Sequence, residues 1–192
     1  MLSLPALIER QTCSVNYQER RRINNLIATA VKPLAATKPR EWTSKTIETV
    51  FMAIWTAVFG TEQSTDLLTE TLLFLEIDTA TARTRTRAVK GKVKCVRVGV
   101  NLNEFSQLEP ADVCAVYGQA AKGPLGFLVE HLKHEFIHML ISTIFSKPLD
   151  NTLHFQDAHG NVFAYWAKQL FAHSLPERRA QRGKIMKFVL KP

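Results

Sequence analysis

The chain lacks the features that would place it in a membrane or among disulfide-rich secreted proteins. No stretch approaches the ~20 uninterrupted apolar residues that a membrane-spanning helix needs. Its three cysteines, widely spaced and odd in number, form neither a disulfide framework nor a C-x-x-C pair. The apolar run at the N-terminus is broken at Glu9 and Arg10, too early for a secretory signal. These absences predict an intracellular protein of the cytoplasm or nucleus that is not secreted and has no membrane partner.

Internal repeats and low-complexity tracts are also missing, which argues against a repeat architecture. With 46% apolar and 22% charged residues, the chain can bury one good core. Sequence periodicity predicts helices at about 16–31, 43–59, 64–71, 109–120, 125–145 and 160–173, and extended segments near 72–78, 82–89 and 92–102. This mixture predicts an α+β fold.

One short motif indicates a chemistry, because residues 134–138 read HEFIH. On a helix, His134 and His138 share one face and can bind the same zinc ion, while Glu135 lies beside them, toward the water that zinc would hold. The run from Leu125 to Phe145 has helical apolar spacing and contains no proline, and its only glycine is Gly126. The motif therefore falls within a predicted helix, as the active centre of a metallopeptidase requires.

A pair of packed histidines is the alternative interpretation of this motif. Buried imidazoles that flank a carboxylate need a partner for each polar group, and zinc would supply it. A catalytic zinc also needs a third protein ligand. His159, at the start of a predicted helix, is the first candidate, and His154, in the preceding loop, is the second. His173 lies about four turns further along and is expected to be a histidine at the helix C-terminus. His131 is expected at the surface or in support of the site.

The sequence resembles the SprT-like family of zinc metallopeptidases, the Spartan-like DNA-dependent protease domains. HEFIH resembles the family's HExxH helix, and His159-Gly160 followed by Phe163 resembles its HGxxF/W element. VRVGVNLN, from Val96 to Asn103, resembles the strand that precedes the active-site helix. The likeness covers roughly residues 48–173.

Three departures from the family pattern accompany this resemblance. Twenty residues separate His138 from His159, a longer loop than the family usually has. Asn161 stands where a proline is common, and no C-x-x-C zinc ribbon follows the domain.

The resemblance implies a zincin-like minimal metalloprotease domain, with a small antiparallel-type sheet packed on the HExxH helix. It implies one catalytic Zn²⁺ held by His134, His138 and His159, with Glu135 as the general base, as in gluzincins and metzincins. The implied substrate is protein crosslinked or tightly bound to DNA, and the implied activity is repair of DNA–protein crosslinks. The DNA partner would be single-stranded or a duplex junction.

The formal charge of +8 is unevenly distributed along the chain. Residues 41–78 carry seven acidic residues and one basic residue, whereas residues 79–103 carry seven basic residues and no acidic one. Clustered cations suit phosphate contacts, although they are also ordinary solubilising residues. The clusters predict nucleic-acid binding by Arg83, Arg85, Arg87, Lys90, Lys92, Lys94, Arg178, Arg179 and Arg182.

Taken together, these features predict a basic N-terminal helical extension (1–40), an SprT-like zincin protease domain (41–175) and a basic C-terminal tail (176–192). Two other functions are also compatible with these features, besides a protease that acts on DNA-bound protein. One is an intracellular zinc peptidase that is independent of DNA, and the other is a non-catalytic, zinc-containing DNA-binding protein. Glu135 argues against the second alternative, since a purely structural zinc site has no use for that carboxylate. If the strand near 92–102 is a sheet edge, a substrate backbone could pair with it.

Overall fold

The structure is a computed structural model that describes residues 15–60, 74–78, 84–89, 92–105, 107–144 and 161–174. Within these ranges, side chains are described except at 74–97, 142–144 and 161–162. The predicted helix at 64–71 and the candidate ligands His154 and His159 lie outside the described residues.

Helices dominate the described residues, and short strands accompany them. The helices are α1 (Tyr17–Val31), α2 (Ser44–Phe59), α3 (Leu102–Phe105), α4 (Gly123–Ile144) and α5 (Asn161–Phe171), with 3-10 turns at Lys32–Ala36 and Pro39–Glu41. The strands are β1 (Phe74–Asp78), β2 (Thr84–Val89), β3 (Lys92–Gly99), β4 (Val113–Val116) and β5 (Gln119–Lys122). The predicted α+β class is confirmed.

Local signals in the sequence set the ends of several helices. Helix α1 begins after Asn16, whose side chain accepts a hydrogen bond from the Glu19 backbone N–H at 2.9 Å. Helix α2 ends at Gly60, which has a φ of 81°. Helix α4 begins at Gly123, whose φ of 63° and close approach to the Pro110 carbonyl leave no room for a Cβ atom without a shift.

The three-stranded sheet has the order β1-β3-β2, with β3 parallel to β1 and antiparallel to β2. This sheet is therefore mixed, and the expected antiparallel pairing is present between β2 and β3 and in the separate β4–β5 pair. Because β3 is paired on both sides, it is not a sheet edge, and the condition for substrate pairing along it is not met. In the described part of the sheet the edges are β1 and β2, and β2 contacts α4.

The helix predicted at 109–120 is also wrong, because this segment forms the β4–β5 hairpin. Along β4, the side chains of Cys114 and Val116 are buried while that of Ala115 is exposed, the alternation of a strand. The chain reverses at Tyr117 and Gly118, whose φ angles are 47° and 77°. Two successive positive φ angles are typical of a two-residue hairpin turn and incompatible with a continuous helix.

Helix α4 runs through the centre of the core and carries the HEFIH motif. Its apolar side chains are fully buried at Leu128, Leu132, Phe136, Ile137, Met139 and Leu140. The Phe136 ring contacts the rings of Phe51, Trp55 and Phe59 on α2 and of Phe171 on α5. Burial of these aromatic side chains contributes much of the packing that holds α4 in place.

Helix α1 belongs to the same hydrophobic core as the rest of the described residues. Its buried side chains Ile23, Ile27 and Val31 join that core, and the helix packs against α2 and α5. The predicted division of the chain at residue 40 stays a prediction. None of the described helices is both long enough and apolar enough to cross a membrane.

Candidate metal centre

Helix α4 brings the two motif histidines together with the motif glutamate. Nε2 of His134 and Nε2 of His138 are 3.2 Å apart. His134 and Glu135 are only 5% and 4% exposed, whereas His138 is half-buried. The i,i+4 spacing on a helix therefore brings the two imidazole nitrogens together. The residue directly after His134 supplies a buried carboxylate.

This geometry fits a zinc ion. Two nitrogen ligands at 2.0–2.1 Å from a tetrahedral zinc lie about 3.3–3.4 Å from each other. The observed 3.2 Å is close to that separation. The same distance also suits a hydrogen bond between two neutral imidazoles, so a packed histidine pair has the same separation.

Two aromatic rings pack against the imidazoles of the motif. The Tyr117 ring is stacked on the His134 ring, with centroids 4.1 Å apart and an interplanar angle of 10°. The Phe163 ring lies 4.7 Å from the His134 ring and 4.4 Å from the His138 ring, measured between centroids. The hairpin and α5 thus both contribute to the position of the histidine pair.

Two histidines are candidates for the third ligand. His159 and His154 lie outside the described residues. Within the part of the chain that is described, no three His, Cys, Asp or Glu side chains form a group that could hold a metal. Nε2 of His173 lies 2.8 Å from Oε2 of Glu130, so His173 is paired with that carboxylate.

His131 is a partly buried neighbour of the motif glutamate, with a side chain that is 12% exposed. Its Nε2 is 3.9 Å from Oε1 of Glu135, which is too long for a hydrogen bond. Burial lowers the pKa of His131 to about 4, so the ring is neutral near pH 7. His131 is therefore a largely enclosed residue beside the site and not an exposed surface histidine.

Tyr117 keeps its phenol proton over a wide pH range. Burial raises the pKa of the Tyr117 hydroxyl, and the negative charges of Glu135 and Glu104 raise it further. The hydroxyl is therefore in the electrostatic field of the motif glutamate. The sequence alone does not single out Tyr117, because Tyr-Gly is not among the residue pairs that indicate a two-residue hairpin turn.

A buried polar network lies on α4 one turn before the motif and was also missed. Lys133 donates to Oδ1 of Asn24 at 2.8 Å and to Oε1 of Glu130 at 2.6 Å. Oε2 of Glu130 is 2.8 Å from Nε2 of His173. The network joins α1, α4 and the segment after α5, and His173 lies beyond the end of α5, not in its last turn.

The pKa of the Glu130 carboxylate is lowered in this network, so the stability that this carboxylate contributes depends on pH. Burial by itself raises the pKa of Glu130, but the hydrogen bond with His173 and the charge and hydrogen bond of Lys133 outweigh burial, so the pKa is lowered overall. A carboxyl group whose folded-state pKa is depressed stabilises the fold above its unfolded-state pKa. That stability is lost as the pH falls through the folded-state pKa.

We expect Glu130→Gln to destabilise the fold at pH 7, because Lys133 is only 5% exposed and would be left without its carboxylate partner. Breaking a buried ion pair from one side typically costs about 3–5 kcal/mol. The variant should also lose less stability than the wild type as the pH falls below about 4.5, because Glu130 no longer titrates. Urea denaturation at a series of pH values measures both effects.

The matched control is Glu48→Gln, which removes an exposed carboxylate 3.1 Å from Lys45. Pairs of this kind contribute about 0–1 kcal/mol. Equal destabilisation by the two variants at pH 7 would show that the Glu130 network adds nothing beyond an ordinary surface pair.

A cavity of about 1190 Å³ opens on a different part of α4 from the motif. Its lining includes Trp42, Val129 and Lys133 and none of the HEFIH histidines. The cavity and the histidine pair therefore lie at different places on α4. The converging imidazoles and the buried carboxylate, not the volume, identify the candidate site.

Comparisons with known proteins found no match. No protein-family model matches the chain, and no curated protein and no solved structure matches it either. The interpretation of the site therefore rests on the residues and geometry of this chain.

Proposed function

We propose that this chain is a zinc-dependent endopeptidase of the SprT-like type. The observation that carries the proposal is the 3.2 Å separation of the His134 and His138 Nε2 atoms, beside the buried carboxylate of Glu135 on the same helix. A zincin-like architecture is part of the proposal. Its support is a central HExxH helix that contacts the mixed sheet on one side and the β4–β5 hairpin on another.

His159 is the third zinc ligand in this proposal. Phe163 contacts both motif imidazoles, so the first turn of α5 lies at the candidate site. In the sequence, His159 stands two positions before Asn161, where α5 begins, and this proximity supports its choice as the third ligand.

The chemistry divides between the metal and the motif glutamate. Zinc held by His134, His138 and His159 would supply a Lewis acid that polarises the scissile carbonyl and activates water. A carboxylate oxygen of Glu135 accepts the proton of the attacking water and then delivers it to the leaving amine. Burial of Glu135 keeps this proton out of bulk solvent.

We further propose that the substrates are proteins bound or crosslinked to DNA. The support is the cluster of basic residues in and around β2 and β3. The strand register pairs Arg85 with Arg97 and Arg87 with Cys95, so three arginine positions stand close together on adjacent strands. Arg83, Lys90 and the tail arginines lie outside the described residues. Lys92 and Lys94 continue the basic segment along β3.

Tryptophan side chains do not provide an obvious base-stacking surface. Trp42, Trp55 and Trp166 are at most 7% exposed, and the Trp42 indole N–H donates to Thr37 Oγ1 at 3.0 Å. Phosphate contacts, which are independent of sequence and weaken with salt, fit the basic cluster better than stacking on bases.

The test is cleavage of a DNA-binding protein by the zinc-loaded chain, with and without single-stranded DNA. We expect cleavage that DNA stimulates and that added salt suppresses. Equal cleavage of unstructured casein with and without DNA would favour the DNA-independent peptidase. DNA binding without cleavage of either substrate would favour the non-catalytic protein and contradict the proposal.

A further inference from the structure

The turn of the β4–β5 hairpin is built around an unfavourable backbone conformation. Tyr117 has a φ of 47°, in the left-handed region that bulky side chains rarely adopt. Asparagine is the residue that hairpin turns of this type prefer at that position, followed by glycine. The presence of tyrosine therefore introduces strain in the turn, and strained residues of this kind cluster at functional sites.

Hydrogen bonds join the hairpin to the segment that follows α5. The backbone N–H of Ser174 donates to the Tyr117 carbonyl at 2.8 Å, and Nε2 of Gln119 donates to the Ala172 carbonyl at 2.7 Å. A Cβ atom on Gly118 would lie 1.9 Å from Ser174 Oγ, so the serine hydroxyl would have to move, and the φ of 77° at this position itself favours glycine. These contacts fix the Tyr117 backbone relative to α5.

The Tyr117 side chain faces the candidate centre from that fixed backbone. Its ring stacks on the His134 ring at a centroid distance of 4.1 Å with an angle of 10°, while Phe163 contacts His134 at 4.7 Å. The imidazole of His134 is thus confined by two aromatic rings. Confinement fixes the plane of the ring, and with it the direction in which Nε2 points.

We propose that Tyr117 is a positioning residue of the metal centre, whose ring fixes the plane of His134 so that the two histidine Nε2 atoms converge before a metal binds. This inference rests on the proposed zinc centre. It assigns the effect to the aromatic ring and not to the hydroxyl group. Pre-organised ligands lose less conformational freedom on binding, so the ring raises the affinity for zinc.

The experiment measures zinc affinity by competition with a chromophoric chelator, and the Co²⁺ absorption spectrum as a report of ligand geometry. Tyr117→Phe keeps the ring, whereas Tyr117→Asn removes it and leaves Asn-Gly, the preferred sequence for the turn. We expect Tyr117→Phe to bind zinc within about twofold of wild type. We expect Tyr117→Asn to bind zinc about 10–100-fold more weakly, the range seen when a residue that supports a metal ligand is lost.

Two further variants complete the test. Tyr165→Asn makes the same change at a tyrosine that is 44% exposed, and should leave zinc affinity unchanged. Tyr117→Leu keeps apolar volume without a flat ring and replaces Tyr117→Asn if that variant does not fold; it should also weaken zinc binding and alter the Co²⁺ spectrum.

The possible outcomes separate this inference from the proposed function. Zinc binding by Tyr117→Asn or Tyr117→Leu at wild-type affinity overturns the role of the ring while the zinc centre stands. Equal weakening in Tyr117→Phe and Tyr117→Asn assigns the effect to the hydroxyl group and also overturns it. A wild-type chain that binds no zinc overturns the proposed centre and this inference together.

Discussion

Replacing Glu135 with glutamine should abolish peptide cleavage by this chain while zinc stays bound. The carboxamide has nearly the shape of the carboxylate, so it fits the same buried space, but it cannot accept a proton from water. Loss of a positioned general base typically lowers the rate by about 10²–10⁴-fold. The measurement combines kcat/KM on a peptide substrate with the zinc content of the same preparation.

Glu109→Gln is the matched control, because Glu109 is exposed and lies outside the HEFIH motif. This variant should keep wild-type activity and zinc. Undiminished cleavage by Glu135→Gln would remove Glu135 from the mechanism. Loss of zinc from Glu135→Gln would mean that the carboxylate supports the metal site, contrary to its assignment as the base.

Replacing His138 with alanine should release the metal. A zinc ligand contributes more than a residue that merely supports one, so we expect the zinc dissociation constant to rise by more than about 100-fold. At a free zinc concentration 100 times the wild-type dissociation constant, zinc should stabilise the wild-type fold by about 2.7 kcal/mol. The same zinc concentration should stabilise His138→Ala by less than about 0.5 kcal/mol. Thermal unfolding with and without zinc measures the difference.

His173→Ala controls for the loss of a buried histidine elsewhere. His173 is 3% exposed and is hydrogen-bonded to Glu130, so this variant should be less stable than the wild type. Its stability should nevertheless increase with zinc as much as that of the wild type. Zinc stabilisation of His138→Ala equal to that of the wild type would remove His138 from the metal site.

Helices with strong local signals could be predicted from the sequence alone. The predicted segments 16–31 and 43–59 correspond closely to Tyr17–Val31 and Ser44–Phe59. The predicted HEFIH helix corresponds to Gly123–Ile144, with the Gly-Pro start at its N-terminus. Apolar spacing and end signals act within a few residues, so they are visible without tertiary contacts.

The composition of the β4–β5 hairpin favours a helix. Residues 111–122 are rich in alanine, which has the highest helix propensity, and the strand alternation at Cys114 and Val116 is short. The Tyr-Gly pair does not by itself indicate a turn, because tyrosine is an uncommon choice for a positive φ angle. The close approach of Gly118 to Ser174 is long-range and leaves no local signature.

The motif residues could be predicted, but their surroundings could not. His134, Glu135 and His138 are close because of helical spacing, which the sequence contains. The stacking of Tyr117 on His134 and the pairing of Glu130 with His173 join residues that only the tertiary fold brings together. His159 as the third ligand stays a prediction, as does the binding of DNA by the basic residues.

The most direct measurement is anomalous X-ray diffraction at the zinc absorption edge, on crystals of the full chain grown with zinc. We predict one strong peak per chain, 2.0–2.1 Å from Nε2 of both His134 and His138, with His159 as the third protein ligand. A direct hydrogen bond between the two imidazoles, with no anomalous peak beside them, would contradict the zinc centre and leave a packed histidine pair.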